Sequence, residues 1–262
     1  MAPILTDKQK KSPLMKYYDL DIAPAPQELV EQVMAMSFAD NKPGLPLQEI
    51  NRLFDDGYMD NEFGLFTLPD GGAVFANKTD MPGVTTEMFD WWFAWHGLDS
   101  LRYIIWDKDD HYYCQTQNVE QALDTSLSMK ERFRGTTHDL QEAVMDGKPP
   151  MNAHLHFVDP VEVGFDPEKL KDFKGTIVCT PGPPAVMIHF LRPTANGSEL
   201  RTRFYSGYGV KGGVIERIPD FKPNDFGSRA MLLHNIKEFR HLAEILPDVY
   251  AEYKDNFTVD LD

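Results

Sequence analysis

The chain has 262 residues, and its 42% apolar and 12% aromatic fractions supply the core of one large domain and exclude a disordered chain. Its 41 acidic residues outnumber its 26 basic ones, which gives a net charge of −15 and argues against nucleic-acid or anionic-membrane partners. No apolar run approaches the length of a bilayer span. Because Cys114 and Cys179 follow no spacing motif and residues 1–12 lack an apolar signal core, we expect a cytoplasmic protein.

The N-terminal region is predicted to be helical. Residues 26–36 begin with a proline and carry an apolar stripe, and a second short helix is expected at 47–54. This region has too little apolar mass to fold alone, so it must pack on the main body or on another subunit. We therefore predict two parts, a small helical region at 1–57 and a main domain at 58–262.

The main domain begins with strand and turn patterns and ends in a helix. A hairpin is predicted at 64–76, an amphipathic helix at 85–96, and a hairpin turn at 195–198. One long helix should run from about 225 to 253, with Pro247 breaking or kinking it. Together these elements predict an α+β fold, in which a long C-terminal helix packs against a mostly antiparallel sheet. Further strands are expected at 103–106, 111–115, 152–158, 176–180, 185–192 and 200–207.

His234 and Glu238 are the most informative pair of residues. They lie four residues apart in a predicted helix, so both side chains project from one face and can bind a single divalent cation. The alternative is an ordinary exposed pair one helical turn apart. Spacing alone does not decide between these readings.

Other polar residues are candidates for the same chemistry. His96 ends the aromatic helix and either points into a cavity or is satisfied by helix carbonyls, whereas Glu131 is a ligand only if a fourth one is needed nearby. His189 lies inside an apolar strand and is a candidate acid or base if it faces a cavity. Tyr205 and Tyr208 serve either core packing or substrate contact. His154 and His156 share one face of a strand and are expected to be exposed.

Several of these segments, in this order, resemble the 2,4-diacetylphloroglucinol hydrolase and phloretin hydrolase family. The similarity runs from about residue 64 to the C-terminus and is carried by residues 91–96, 102–106, 157–160, 201–204 and 234–238. The resemblance implies a Bet v 1-like helix-grip domain, in which a curved antiparallel sheet surrounds the C-terminal helix. It also implies a small helical region that makes a homodimer, and a zinc-dependent hydrolase that cleaves the carbon–carbon bond between a phloroglucinol ring and its acyl group.

The resemblance also assigns roles to individual residues. One zinc ion per chain would be held by two histidines and two glutamates, here His96, Glu131, His234 and Glu238. It would polarise the acyl carbonyl and activate water after the ring has tautomerised to a ketone. Proton transfer and phenol binding would fall to His189, Tyr208 or Tyr205, and Asp99. Asp99 replaces an amide of the family, and Met88 and Phe89 stand where the family has a tyrosine.

The expected substrate is a phenolic ketone, and phloretin is favoured over diacetylphloroglucinol because the aromatic helix can accept a second ring. Two alternatives stay open at this point. One is a non-catalytic helix-grip protein that binds an apolar aromatic ligand, and the other is a metal hydrolase for another β-diketone-like substrate. Two histidines and two carboxylates would also accept iron, manganese or cobalt.

Overall fold

A computed structural model describes residues 3–144 and 148–260 as a mixed α+β fold with three antiparallel sheets. The largest sheet has five strands in the order β1-β2-β8-β7-β6, the second has the order β3-β4-β5, and β9 and β10 form a hairpin. The strands are β1 (Gly64–Thr67), β2 (Ala73–Pro82), β3 (His111–Thr116), β4 (Thr137–Glu142), β5 (Met151–His156), β6 (Thr176–Thr180), β7 (Ala185–Thr194), β8 (Gly197–Ser206), β9 (Tyr208–Lys211) and β10 (Val214–Arg217).

Eight α-helices accompany the sheets in these two ranges. Most are short, and only the last, with 29 residues, is long. They are α1 (Met15–Tyr18), α2 (Gln27–Met34), α3 (Thr86–Trp95), α4 (Ser100–Ile104), α5 (Val119–Leu123), α6 (Met129–Phe133), α7 (Pro167–Asp172) and α8 (Asp225–Tyr253). Short 3-10 helices occupy Gln9–Lys11, Phe38–Asp40, Leu47–Phe54, His96–Leu98 and Pro160–Val163. In the described ranges, no helix is long and apolar enough to cross a membrane.

Helix α8 covers one face of the five-stranded sheet. Leu232 and Ile236 of α8 pack against Phe75 of β2. Asn224 precedes the helix and caps it, because its side chain accepts a hydrogen bond from the Gly227 amide. The predicted helix is confirmed and runs through Pro247 without a break, so of the two predicted effects of this proline only a kink stays a prediction. Several buried side chains beside the proline hold the helix in the aromatic core, which offsets the roughly 3 kcal/mol that an interior proline costs. These side chains are Ile245, Leu246 and Val249.

The N-terminal region packs on the opposite, outer face of the same sheet. Leu47, Ile50 and Leu53 of the predicted second helix, which is a 3-10 helix, join a cluster that includes Tyr205 of β8. Part of α2 instead reaches α8, because Val33 packs with Leu232 and Ile236. The sheet is therefore enclosed from both sides. A dimerisation role for residues 1–57 stays a prediction.

The segment before β3 departs from the sequence-based expectation. Residues 103–106 were predicted to form a strand, but Ser100–Ile104 is a helix whose first turn is capped by the Asp99 side chain, which accepts a 2.8 Å hydrogen bond from the Leu101 amide. The cap and the apolar residues Leu101 and Ile104, both buried, explain the helix. The hairpins at 64–76 and 195–198 are confirmed.

Candidate functional site

Four side chains capable of binding a metal converge where α8 meets the three-stranded sheet. His234 and Glu238 project from one face of α8. His111 begins β3 and Glu142 ends β4, and the two residues are direct cross-strand partners. Because opposite residues of an antiparallel pair lie side by side, the strand register alone brings this histidine and this carboxylate together.

Ligand atoms of His111, His234 and Glu238 all lie within 4.8 Å of one another, and Glu142 approaches this group at His234. His111 Nε2 lies 3.6 Å from Glu238 Oε2, and His234 Nε2 lies 3.8 Å from Glu238 Oε2 and 3.9 Å from Glu142 Oε2. These separations are too long for hydrogen bonds. Metal–ligand bonds of ~2.0–2.2 Å at tetrahedral angles would hold such atoms ~3.4 Å apart, so a small cation would need only a slight contraction.

The outer nitrogen of each imidazole is held by an oxygen acceptor. His111 Nδ1 lies 3.0 Å from the Tyr103 carbonyl oxygen, and His234 Nδ1 lies 2.9 Å from Asp110 Oδ2. Since a carbonyl oxygen can only accept, Nδ1 of His111 carries the proton and its Nε2 presents a lone pair to the cluster. That Nε2 is buried and has no hydrogen-bond partner among the described residues, which suits an atom that binds a metal ion.

The two carboxylates are also oriented by neighbouring polar groups. The Tyr103 hydroxyl donates to Glu142 Oε2 at 2.8 Å, and Asn235 Nδ2 donates to Glu238 Oε1 at 3.2 Å. Asn235 is itself fixed by Asn77 of β2, whose amide donates to its Oδ1 at 3.0 Å. The second oxygen of Glu238 is thereby left to the cluster, as in other carboxylate metal sites with ordered outer partners.

The surroundings raise the pKa of both residues of the α8 pair. Burial raises the pKa of Glu238 to about 8. Burial alone would lower the pKa of His234, but the charge of Glu238 and the hydrogen bond to Asp110 outweigh it and raise the pKa to about 10. Both shifts favour the protonated forms of His234 and Glu238, so a bound cation competes with protons for these two residues. Once their protons are displaced, two imidazoles and two carboxylates fit a divalent transition metal such as zinc.

Cation affinity should therefore depend on pH. The cation must displace at least one proton from the coupled pair of His234 and Glu238, because the pKa of both residues is raised. We expect the apparent zinc affinity to rise about tenfold per pH unit for each proton displaced, from pH ~6 to ~8. Competition with a chromophoric zinc chelator at several pH values measures this pH dependence of the zinc affinity. An affinity that did not change with pH would contradict the assignment of these two residues as ligands.

Asp110 should matter because it orients His234. Its Oδ2 accepts from His234 Nδ1 and also lies 2.6 Å from Lys237 Nζ. We expect Asp110→Asn to weaken zinc binding about 10–100-fold, since an amide polarises the imidazole less than a carboxylate does. The matched control is Asp109→Asn. The Asp109 side chain is 60% exposed, and its Oδ2 lies 4.0 Å from Lys237 Nζ. An equal loss of zinc affinity in both variants would show that the loss comes from the removed charge and not from the orientation of His234.

Two of the predicted ligands lie elsewhere. Glu131 is exposed and caps its own helix α6, with its Oε2 accepting from the Ser128 amide at 2.8 Å. His96 is buried, but its ligand-capable neighbours are Cys114 and His138, and it is separated from His111 by the ring of Tyr103. The geometry therefore replaces His96 by His111 and Glu131 by Glu142 beside the pair on α8.

The predicted catalytic residues are also divided between different places. The structure places Tyr205 and Tyr208 away from the four-residue cluster, because both pack on the outer face of the sheet, as in the core-packing alternative, and the Tyr208 hydroxyl donates to Asp70. Residues of a strand alternate between faces, so Tyr205 is turned away from α8. Asp99 serves as the cap of α4 and not as a cluster residue.

His189 lies on the face of the sheet that α8 covers. Its ring centroid is 4.7 Å from that of Phe239, the residue after Glu238, and its Nδ1 lies 2.9 Å from Thr202 Oγ1. Burial lowers its pKa to about 3, so the imidazole is neutral at neutral pH. Its role as an acid or base stays a prediction. His154 and His156 are exposed, as expected.

The sequence reasoning missed His111, Glu142, Asp110 and Tyr103. A signal for His111 was present, because it opens a predicted strand directly after the acidic run 107–110. Glu142 lies at the end of β4, which was not among the predicted strands. Without that strand, its partnership with His111 could not be deduced.

Comparisons with known proteins agree with one another over most of the chain. Residues 45–251 match the family model described as DAPG hydrolase PhiG domain. The chain is 36% identical over 262 residues to a phloretin hydrolase of Eubacterium ramulus, covering 96% of this chain and 94% of that protein. It is 27% identical over 265 residues to a 2,4-diacetylphloroglucinol hydrolase of a Pseudomonas species, covering 93% and 89%. A solved structure of a Nitrosomonas europaea protein aligns at 10% identity and a TM-score of 0.34, covering 73% and 99%, and carries no argument.

Proposed function

This chain belongs to the DAPG hydrolase PhiG domain family and is a carbon–carbon bond hydrolase of acylphloroglucinols, and on that premise we propose that its substrate is phloretin. The reaction adds water across the bond between the phloroglucinol ring and the acyl carbon. The ring carbon gains a hydrogen and the acyl carbon a hydroxyl group, so the products are phloroglucinol and phloretic acid. The second aromatic ring of phloretin suits the aromatic surroundings of the site, where Trp106 and Tyr103 both contact His111.

The proposed centre is the cluster of His111, Glu142, His234 and Glu238, with one zinc ion per chain. The single observation that carries it is the convergence of ligand atoms of His111, His234 and Glu238 within 4.8 Å of one another, with Glu142 Oε2 3.9 Å from His234 Nε2. The buried His111 Nε2 lacks a hydrogen-bond partner among the described residues. When bound, a zinc ion supplies a Lewis acid that polarises the acyl carbonyl and lowers the pKa of water. A binding protein without catalysis has no use for such a convergence.

The surrounding side chains have separate tasks in this proposal. Tyr103 has its pKa raised well above the usual value by burial and by nearby Glu142, so its hydroxyl stays protonated and holds Glu142 in place. His189 is neutral, and in this proposal it hydrogen-bonds a phenolic hydroxyl and helps to pass that proton to the ring carbon that becomes the leaving group. Protonating that carbon is necessary because a phenyl carbanion is a poor leaving group.

The fold type, the cellular compartment and the oligomeric state are also proposals. We propose that the five-stranded sheet and α8 form a helix-grip domain, supported by the packing of α8 on one face of the sheet. The two free, buried cysteines are compatible with a reducing cytoplasm. A homodimer is also proposed, and size-exclusion chromatography with light scattering tests it.

The direct experiment measures metal content and turnover together. Purified wild type and His234→Ala are analysed for zinc and assayed with phloretin and with diacetylphloroglucinol. We expect about one zinc at this centre, lost in the variant along with activity, and faster turnover of phloretin. Release of monoacetylphloroglucinol alone would make the diacetyl compound the substrate. A zinc-replete protein inactive on both would refute the proposed reaction.

A further inference from the structure

A second group of ligand-capable side chains lies next to the proposed centre. It consists of His96, which follows α3, Cys114 of β3 and His138 of β4. All three are buried, and one ligand atom of each lies within 4.8 Å of the others. The ring of Tyr103 lies between this group and the first, with centroids 5.9 Å from His96 and 3.8 Å from His111.

The orientation of His96 leaves one nitrogen available. Its Nδ1 lies 2.8 Å from the Trp92 carbonyl oxygen and must donate to it, so Nε2 carries a lone pair. This is the arrangement that orients histidines in metal sites, where the outer nitrogen is held by a carbonyl or carboxylate. The rings of His96 and His138 meet edge to face with centroids 5.1 Å apart.

The approach of His138 depends on a glycine. A Cβ atom on Gly97 would lie 2.6 Å from His138 Cε1, so any other residue would push the imidazole away. Cys114 Sγ lies 3.9 Å from His138 Nδ1, which is a weak polar contact at best. Bonds of ~2.3 Å to sulfur and ~2.1 Å to nitrogen would hold these atoms ~3.6 Å apart at a tetrahedral angle and ~3.8 Å apart at a trigonal one.

The surroundings of the group are apolar. Phe93 lies 5.5 Å from His96 and Phe157 lies 4.9 Å from His138, centroid to centroid. Buried polar groups usually have strong hydrogen-bond partners, and the contacts among these three side chains are weak. A cation that accepts two nitrogens and one sulfur would bind these side chains more strongly than they bind one another.

We propose that His96, Cys114 and His138 form a second cation site, selective for a thiophilic d10 ion, either zinc or Cu(I). Thiolate and imidazole ligands favour these ions, whereas magnesium and calcium need oxygen ligands. The Cys114 thiol releases its proton to solvent as the sulfur–metal bond forms, so one proton leaves per cation bound. With Cu(I) the thiolate makes the buried group neutral, and with zinc it leaves a single positive charge.

The ligand types make this site distinguishable from the first. The proposed hydrolytic centre offers only nitrogen and oxygen atoms, so a thiolate–metal signal can arise only from a cysteine. The other cysteine, Cys179, is buried elsewhere and its Sγ lies 3.5 Å from the Val158 carbonyl oxygen. The proposed hydrolytic centre could therefore fail its test while the second cation site passes, and the second site could fail while the hydrolytic centre passes.

The test is an anaerobic titration of metal-free protein with Co²⁺, a spectroscopic substitute for zinc. We expect a thiolate-to-cobalt charge-transfer band in the near ultraviolet and two equivalents bound per chain. Cys114→Ser should lose the band and one equivalent, whereas Cys179→Ser, the matched control, should keep both. His234→Ala should keep the band, because it affects only the other site.

Further measurements separate the two ions and guard against misfolding. Elemental analysis after zinc loading, and competition with a chromophoric Cu(I) chelator, show which ion is held more tightly. His138→Gln removes a ligand but keeps the thiol, and circular dichroism verifies its fold, so it replaces Cys114→Ser if that variant does not fold. Wild type that binds one Co²⁺ without a thiolate band, and neither zinc at a second site nor Cu(I), would overturn the proposal.

Discussion

Replacing Glu142 by glutamine is expected to lower both the zinc affinity and kcat by at least ~100-fold, beyond what the loss of an outer-shell partner costs. Glu142 belongs to the proposed centre, and its Oε2 lies 3.9 Å from His234 Nε2. An amide has no charge to offer a cation, although it can still accept the hydrogen bond from Tyr103. Zinc content after dialysis and steady-state turnover of phloretin measure the two effects.

The matched control for this change is Glu131→Gln. Glu131 is exposed and bonded to Ser128 of its own helix cap, so its loss should leave zinc content and turnover near wild type. The pair distinguishes the ligand that sequence patterns favoured from the one that the structure favours. Loss of zinc in Glu131→Gln with full retention in Glu142→Gln would restore the earlier assignment.

The second large effect is on stability and concerns a buried carboxylate. Glu62 binds two buried guanidinium groups, with its Oε2 accepting from Arg201 Nε at 3.1 Å and from Arg203 Nη2 at 2.7 Å. Removing one partner of a buried ion pair leaves the other charge uncompensated. We therefore expect Glu62→Gln to lower the free energy of unfolding by about 3 kcal/mol, measured by denaturant titration.

The control is Glu49→Gln, at an exposed pair in which Glu49 Oε2 lies 3.2 Å from Arg52 Nη1. It should cost less than about 1 kcal/mol. The pKa of Glu62 gives an independent check: burial would raise it, but Arg201 and Arg203 lower it to about 2. A depressed pKa contributes stability that is complete above the ordinary value of 4.5 and is lost as the pH falls towards 2. Equal unfolding free energies for the two variants would contradict the buried pair.

Much of the fold could be predicted because local patterns determine it. The long C-terminal helix and the hairpins at 64–76 and 195–198 follow from helical periodicity and from turn residues. The pair His234 and Glu238 could be predicted for the same reason, since their spacing needs only a helix. The absence of a break at Pro247 could not be predicted, because local propensity does not account for the packing of a buried helix.

The rest of the site depends on contacts between distant segments. His111 and Glu142 meet only through the β3–β4 register, which a missing strand made invisible. His96 was chosen because it ends an aromatic helix, but the ring of Tyr103 separates it from His111. The face of the sheet on which Tyr205 lies could not be predicted, since a run of polar and aromatic residues on β8 does not reveal which face α8 covers.

The origin of the ligands in β3, β4 and α8 has a consequence for the motions of the protein. In the described ranges, the three-stranded sheet shares no hydrogen-bonded ladder with the five-stranded one, so a bound cation would act as a cross-link between the small sheet and the helix. By mass action, a ligand at about 100 times its Kd stabilises the folded state by about 2.7 kcal/mol. Chelation should then accelerate amide hydrogen exchange in β3, β4 and the middle of α8, and leave β7 and β8 protected.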